Sequence, residues 1–187
     1  MKRTKHKNMK NNVFKYGLIS GVLIATWAVS TIALCHNTGN YNSSMLLGYT
    51  AQVLALSFVY VGVKNYRDKQ NGGVISFGKA LQLGLLISLV ACTIYVVAWG
   101  IDYIFFIPDF MEKFSAHMIK TAQESGKSAA EISKQVAQAK QWKELYKSPL
   151  WFALFTYAEI VPTGLIISLI VALILKRKVS NGKVAVA

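Results

Sequence analysis

Four long blocks of apolar residues, separated by polar stretches, dominate the hydrophobic pattern of the chain. They lie at about 16–35, 45–63, 76–106 and 150–175. A helix rises ~1.5 Å per residue, so roughly 20 apolar residues cross the hydrocarbon core of a bilayer. Each block is about that long or longer, and charged residues are rare within it. The pattern therefore predicts an all-α protein with a bundle of four transmembrane helices.

The stretch between the third and fourth blocks, residues 109–148, is charged and amphipathic instead. Its apolar side chains recur every four residues, at Phe110, Phe114, Met118 and Ala122, which places them on one helical face. Ser125 and Gly126 interrupt this pattern. Ser128 and Glu131 then fit a capping box, in which each side chain bonds to the other residue's backbone amide. We predict an extramembrane helical hairpin between helices three and four.

The composition indicates a membrane protein rather than a nucleic-acid-binding one. Of the 187 residues, 53% are hydrophobic, and the mean hydropathy is +0.37. The formal net charge of +13 comes from lysines and arginines that cluster outside the apolar blocks. We therefore expect a lipid bilayer as the surroundings and no nucleic-acid partner.

The basic residues predict how the helices are threaded. Residues 1–15 carry six basic residues and no acid, and together with 64–79 and 176–187 they hold 14 of the 21 basic residues. The loop at 36–44 has no lysine or arginine. The positive-inside rule then places both termini in the cytoplasm. The hairpin would be periplasmic, although its seven lysines, accompanied by five acids, weaken the asymmetry.

This threading divides the chain into three parts. They are a basic cytoplasmic N-terminus at 1–15, a single membrane domain at 16–178 with its periplasmic hairpin at 109–148, and a cytoplasmic tail at 179–187 that we expect to be disordered. A cleaved signal peptide is the alternative for the start of the chain. The first apolar run is longer than a usual signal core and no small-x-small cleavage site follows it, so a retained helix is preferred.

Small residues recur on single faces of the predicted helices. The pairs are Gly17 and Gly21 in the first helix, Gly84 and Ser88 in the third, and Gly164 and Ser168 in the fourth. Small side chains let helix backbones approach each other closely in lipid. We interpret these faces as packing seams within one bundle. A homodimer seam at Gly17 and Gly21 is the alternative, which leaves a homo-oligomer open.

Two acids lie within the apolar blocks, Asp102 near the end of the third and Glu159 in the fourth. Both are candidate functional residues, because a charge inside hydrocarbon is costly to maintain. The alternative is structural, with both acids hydrated near the interface or paired with lysines. Pro162 predicts a kink in the fourth helix, since it cannot donate a backbone hydrogen bond.

Asp102 and Glu159 are predicted to lie at a similar depth in the outer third of the bilayer, so a coupled pair is one hypothesis. Two carboxylates within ~4–6 Å could not both stay ionised, and one would hold a proton. The small residues of the fourth helix point away from Glu159, which favours a second arrangement. In that arrangement Glu159 finds a lysine, a hydroxyl such as that of Thr163, or interfacial water.

The sequence contains no pattern that indicates catalysis or a cofactor. Cys35, Cys92 and the three histidines show neither metal-ligand spacing nor a nucleophile–base arrangement, and there is no phosphate-binding loop. We expect a non-enzymatic scaffold or accessory subunit, without cofactor or metal, that presents the hairpin to a protein partner. The alternative is a small oligomeric transporter or ion-coupled carrier that uses Asp102 and Glu159, and a membrane enzyme is the least favoured.

Five runs of residues resemble a bacterial membrane-protein family. They are YGLISG at 16–21, GVKNYRD at 62–68, GVISFGKA at 73–80, PDFMEK at 108–113 and EIVPTGLIISL at 159–169. From about Lys10 to Lys178 the chain resembles the four-helix integral-membrane family known as domain of unknown function 4199. The resemblance implies an integral membrane protein of Gram-negative bacteria with no assigned activity, and it supplies no catalytic residues.

Overall fold

The computed structural model describes residues 2–39, 41, 45–180 and 183–186. Its α-helices, in chain order, are α1 (Lys2–Thr38), α2 (Met45–Leu56), α3 (Phe58–Asn65), α4 (Phe77–Phe105), α5 (Phe110–Glu124), α6 (Ala129–Tyr146) and α7 (Pro149–Leu175). A π-helical turn at Tyr66–Gln70 continues α3. Two short antiparallel strands, β1 (Arg177–Ser180) and β2 (Lys183–Val186), follow α7. Apart from this small β-hairpin the fold is all-α, so the predicted class is confirmed.

Four segments are long and apolar enough to cross a membrane. They are Met9–Thr38, Leu46–Gln70, Phe77–Phe105 and Pro149–Leu175. They correspond in number and order to the four predicted helices, and the protein is a multi-pass membrane protein. The first two spans extend further than their apolar blocks, because helical backbone continues into the polar residues at their ends.

Helix α4 is the centre of the bundle and packs against α1 on one side and α7 on the other. In its apolar part 50% of the residues are buried, compared with 22% in α1 and 33% in α7. Helices α1 and α7 therefore bury one face and expose the other. Such one-sided burial is expected of helices whose outer face meets lipid.

The seam between α1 and α4 uses both glycines of the predicted GxxxG pair. A Cβ added at Gly17 would lie 2.6 Å from Cβ of Val90, and one added at Gly21 would lie 2.7 Å from Cβ of Ile94. Helix α4 of the same chain therefore covers this face. The hypothesis of a homodimer seam at Gly17 and Gly21 is wrong, because the close approach that these glycines allow is made within the chain.

The seam between α4 and α7 is formed by the other four small residues. A Cβ at Gly84 would lie 3.0 Å from Cβ of Ser168, and one at Gly164 would lie 3.0 Å from Cβ of Ser88. The two serine Oγ atoms are 3.1 Å apart and buried, and Ser168 Oγ donates to the Gly164 carbonyl at 2.7 Å. The pairing shows that α4 and α7 are antiparallel, with the hydroxyls satisfied inside the seam.

The basic start of the chain is helical and part of the bundle rather than a separate segment. Met9, Asn12 and Val13 are buried. Asn12 Nδ2 donates to the Gly62 carbonyl at 2.8 Å, and Asn12 Oδ1 accepts from Asn65 Nδ2 at 2.8 Å. The predicted boundary at residue 15 therefore falls inside α1, since α1 continues without a break through this polar contact with α3.

The second predicted helix, 45–63, ends too early, because the next seven residues, 64–70, complete α3 and the π-helical turn. The cause is Arg67, which is buried at 5% exposure. Its guanidinium binds both carboxylate oxygens of Asp68, at 2.6 and 3.2 Å, and Nη1 donates to the Leu175 carbonyl at 3.4 Å. A cation at the C-terminus of α7 also interacts favourably with the helix dipole. Arg67 therefore fixes this turn to the end of α7.

The described residues that follow α7 have regular structure in place of the disorder expected at 179–187, of which residues 181, 182 and 187 lie outside the described part of the chain. Strand β1 pairs with β2, and Arg177 and Ile75 exchange two backbone hydrogen bonds, at 2.8 and 3.1 Å. Isolated strands of four residues have little stability of their own. The bridge to Ile75, which is buried, supplies an anchor on the bundle.

Helices α5 and α6 form an antiparallel pair between α4 and α7. The turn between them passes through Gly126, whose φ of +69° is a left-handed conformation that favours glycine. The capping box of Ser128 and Glu131 is present at the start of α6. Lys143 Nζ lies 3.0 Å from Glu112 Oε2, which joins the end of α6 to the beginning of α5. That this pair lies outside the membrane stays a prediction.

Candidate ligand-binding cavity

A cavity of about 480 Å³ lies between the α5–α6 pair and one end of the bundle. Helices α1, α4, α5, α6 and α7 all contribute to its lining. Its volume falls in the range of pockets that hold small organic molecules, roughly 300–1,000 Å³.

Six aromatic side chains line the cavity. They are Tyr95 and Trp99 of α4, Phe110 and Phe114 of α5, and Trp142 and Tyr146 of α6. Two methionines of α5, Met111 and Met118, add flexible apolar surface. The polar members are Ser115, Gln135, Gln138 and Glu159. The arrangement is a predominantly apolar chamber with a few polar groups, as is typical of small-molecule sites.

A cluster of rings holds the α5–α6 pair on the bundle and so shapes the cavity. Trp99 meets Phe110 edge to face, with ring centroids 5.2 Å apart, and stacks on Phe152 at 6.3 Å. Tyr146 meets Phe152 at 5.5 Å. Such pairs contribute about 0.5–1.5 kcal/mol each beyond the area they bury. The cluster therefore fixes the base of both α5 and α6 against α4 and α7.

Glu159 of α7 is the acidic residue in the lining of the cavity. Its Oε1 accepts a hydrogen bond from Gln52 Nε2 of α2 at 3.3 Å, and Gln52 Oε1 accepts from Thr163 Oγ1 at 3.2 Å. The predicted hydroxyl of Thr163 is thus linked to Glu159 through Gln52. Among the residues that the structure describes, no basic side chain forms an ion pair with Glu159.

Tyr146 shows that the charge of Glu159 acts on the cavity wall. Burial raises the pKa of the Tyr146 hydroxyl, and the negative charge of Glu159 raises that pKa further. Tyr146 belongs to α6 and Glu159 to α7, so the acid acts across the boundary between the bundle and the α5–α6 pair. The hydroxyl stays protonated and keeps its capacity to donate.

Glu159 also borders an apolar groove on the outside of the bundle, between α2 and α7. Pro162 and Thr163 line the same groove, together with Tyr49 and Val53. Helix α7 continues through Pro162 without interruption. The proline leaves a backbone carbonyl one turn earlier without its usual donor, and this polar spot lies beside Glu159.

Asp102 lies elsewhere, outside the lining of the cavity. It is buried near the end of α4, and its Oδ2 has no hydrogen-bond partner among the described residues. Contacts across the α4–α7 seam give the relative depth of the two acids. Thr93 Oγ1 accepts from the Tyr157 hydroxyl at 2.9 Å, which places Glu159 near the level of Thr93. Asp102 comes nine residues later in α4, about 13 Å further along the axis at ~1.5 Å per residue.

The structure therefore does not bring Asp102 and Glu159 together. The prediction that they lie at a similar depth is wrong, because the antiparallel register of α4 and α7 places Asp102 opposite the beginning of α7. The hypothesis of direct coupling between their carboxylates fails with it. The second arrangement named a lysine, a hydroxyl such as that of Thr163, or water as the partner of Glu159. The partner in the structure is instead the amide of Gln52, which in turn accepts from Thr163.

A second polar cluster joins α1 to α5 beside the cavity. Asp109 Oδ1 lies 2.8 Å from His36 Nε2, and Asp109 Oδ2 lies 2.8 Å from Lys113 Nζ. The hydrogen bond from Lys113, and secondly that from His36, lower the pKa of Asp109 to about 2. Asp109 is therefore ionised at neutral pH. No sequence pattern indicates this cluster, because His36 and Asp109 are 73 residues apart.

The cavity itself was not predicted, although the sequence holds a signal for it. Tyr95 and Trp99 are four residues apart, as are Trp142 and Tyr146, so each pair presents two large rings on one helical face. The rotation of α4 and α6 about their axes turns both faces toward the same cavity, and this rotation cannot be read from the sequence.

Glu159 is an acid with a neutral amide partner, and the described residues that line the cavity include no histidine, cysteine or lysine. Three or more histidine, cysteine, aspartate or glutamate side chains placed to hold a metal ion are not found within the described ranges.

The comparisons with known proteins give the chain a family and nothing closer. Neither the curated proteins nor the solved structures include a significant match to it. The model of one protein family, described as protein of unknown function (DUF4199), matches residues 15–177. That match spans all four apolar helices and the α5–α6 pair, and the chain belongs to the DUF4199 family.

Proposed function

We propose that this protein is a non-enzymatic scaffold or accessory subunit of the bacterial inner membrane that presents the α5–α6 pair to a protein partner. The observation that carries the proposal is the surface of α6. None of its 18 residues is buried, although the helix is capped and held at its base. Two helices that bury so little leave most of their surface available for another molecule.

The charge of the α5–α6 pair supports a position outside the hydrocarbon. Lys120, Lys134 and Lys140 are exposed on its outer surface, and so are the acids Glu124 and Glu144. Charged side chains at the centre of a bilayer are costly, so this surface belongs in water. The positive-inside rule then favours both termini in the cytoplasm and the pair in the periplasm.

The way in which the pair is attached supports a role as a platform. Rings of Trp99, Phe110, Phe152 and Tyr146 fix its base, where α5 begins and α6 ends, whereas the turn at Gly126 joins the other ends of the two helices. A partner that binds a preformed surface loses less conformational entropy than one that must order a loop.

Site-specific crosslinking tests this role. A photoreactive amino acid at Lys134, exposed on α6, is expected to give one defined protein adduct in intact cells. The same residue at Lys69, exposed on the opposite side of the bundle, is the matched control and should not give that adduct. If Lys134 yields only lipid adducts or none, the role as a partner platform is wrong.

A small carrier is a second candidate, and the opening of the cavity onto Glu159 favours it. Asp102 does not line that cavity, so a carrier would depend on Glu159 alone. Four crossings are few for alternating access, which makes an oligomer necessary. In proteoliposomes, Glu159→Gln is expected to abolish any proton-coupled uptake, and uptake that persists unchanged would exclude Glu159 as the coupling acid.

A further inference from the structure

We infer that the cavity beneath the α5–α6 pair is a binding site for an amphipathic organic cation, a molecule with an aromatic or aliphatic body and one positively charged centre. The inference goes beyond the platform role and does not depend on it. It rests on three features of the cavity: an acid without an ion pair, a wall of aromatic rings, and a volume of about 480 Å³.

The acid selects the sign of the ligand's charge. Glu159 receives one hydrogen bond, a long one of 3.3 Å from the neutral amide of Gln52. No lysine or arginine of the described chain pairs with it, and none lines the cavity. Glu159 is exposed on the surface of the bundle, where a bilayer would supply little water, and a carboxylate in such surroundings is stabilised by a cation nearby. A cationic ligand would supply the positive charge that no described side chain provides to Glu159.

The rings favour the same sign. Tyr95, Trp99, Trp142 and Tyr146 all line the chamber that Glu159 reaches. The face of an aromatic ring attracts a cation within about 6 Å of its centroid, and tryptophan does so most strongly. Weakly hydrated cations such as quaternary ammonium ions lose little when water is removed, so aromatic walls recognise them well.

The remaining lining determines the body of the ligand. Met111, Met118, Ile119 and Ala139 provide apolar surface, and methionine adapts its shape to irregular molecules. The polar atoms at the far end include Gln135 Oε1, which is buried and has no hydrogen-bond partner within the described residues. A body with apolar bulk and a donor group at its edge would satisfy this atom too.

Two ions of the same shape and opposite charge provide a sharp test. Tetraphenylphosphonium and tetraphenylborate are both added to the purified full-length protein in detergent, and binding is followed by calorimetry. The cation is expected to bind saturably at one site per chain, and the anion is not. If both ions bind equally, the cavity selects apolar bulk alone, and the inference is wrong.

Substitutions then assign the site. Glu159→Gln is expected to weaken cation binding at least tenfold, and Ala139→Trp, which fills the cavity, should also weaken it. Asp102→Asn is the matched control, since it removes another acid of the bundle that lies outside the cavity, and it should leave binding unchanged. Unchanged affinity in both Glu159→Gln and Ala139→Trp would place the cation elsewhere and overturn the inference.

If Glu159→Gln does not fold, as judged by gel filtration, Ala139→Trp and the comparison of the two ions still test the site. Absence of cation binding to the wild-type protein overturns the inference whatever the crosslinking at Lys134 shows. Conversely, a failed crosslinking experiment leaves the binding result standing, so the two proposals can be separated.

Discussion

Gly84 of α4 lies directly against Ser168 of α7, so close that a Cβ on Gly84 would be 3.0 Å from Cβ of Ser168. The neighbouring contact, between Gly164 and Ser88, repeats the arrangement with the helices exchanged. The small residue faces a serine in both cases, and the two serine hydroxyls meet between the helices at 3.1 Å. This seam sets the depth of every residue of α7 relative to α4, including Glu159.

Gly84→Leu is therefore expected to destabilise the bundle. The added side chain has to push α7 away or adopt a strained rotamer, which costs about 1–3 kcal/mol in a packed interior. Thermal unfolding in detergent, followed by gel filtration, measures the effect. Gly48→Leu is the control, because nothing lies within 4 Å of a Cβ at that helical position. Equal melting temperatures for the two variants would contradict the seam.

Gly17→Leu tests the seam between α1 and α4. A Cβ at Gly17 already lies 2.6 Å from Val90, so the monomer itself should lose stability, again by about 1–3 kcal/mol. A dimer seam would behave differently, since the variant would dissociate into stable monomers. Measurement of mass and melting temperature on the same sample separates these cases, and a stable monomeric Gly17→Leu protein would restore the dimer hypothesis.

Arg67→Met is expected to loosen the end of α7. The substitution leaves the Leu175 carbonyl without the guanidinium donor and removes the partner of Asp68. Loss of one partner in a buried, charged hydrogen bond costs about 1–3 kcal/mol. Cleavage by trypsin after Lys176 should become faster, and Lys69→Met, a change at an exposed neighbour, should leave the cleavage rate unaltered. The role of Arg67 is refuted if both variants are cut at the wild-type rate.

The carboxylate of Asp109, which joins α1 to α5, should keep its charge throughout the neutral range. The pKa of Asp109 is lowered to about 2, so its stabilising contribution is present above the ordinary carboxyl pKa near 4 and is lost as the pH falls through about 2. Asp109→Asn should lower the melting temperature slightly at neutral pH, and this difference should vanish toward pH 2.

The matched control for Asp109 is Glu124→Gln. Glu124 is an exposed acid of the same helix whose contact with Lys120 is longer, at 3.8 Å, and it should have little effect at any pH. A melting-temperature difference for Asp109→Asn that persists unchanged at low pH would show that packing, rather than the charge of Asp109, stabilises the junction.

Reporter fusions test the threading. Alkaline phosphatase, which is active only in the periplasm, should be active when inserted after Gly126 and inactive when fused after Lys178. In the predicted threading both termini lie on the same side of the membrane, and the excess of basic residues lies on that side too. The positive-inside rule assigns that side to the cytoplasm. The opposite pair of activities would reverse the orientation and place the α5–α6 pair in the cytoplasm.

The sequence by itself determined the number of spans, the two helices between α4 and α7, and the capping box at Ser128. These features follow from local patterns, because apolar length, helical period and a cap depend on residues within a few turns of each other. Local patterns do not reveal that Arg67 is buried, because its guanidinium donates to a carbonyl 108 residues away.

Only the tertiary structure decided which side chains meet. Glu159 and Asp102 have similar sequence contexts, an acid in an apolar helix, yet one opens onto a ring-lined cavity and the other is buried outside it. The difference comes from the rotation and register of α4 against α7, which the close contacts of Gly84 and Gly164 fix. Rotation and register arise from the summed packing of several helices, so no stretch of the chain encodes them alone.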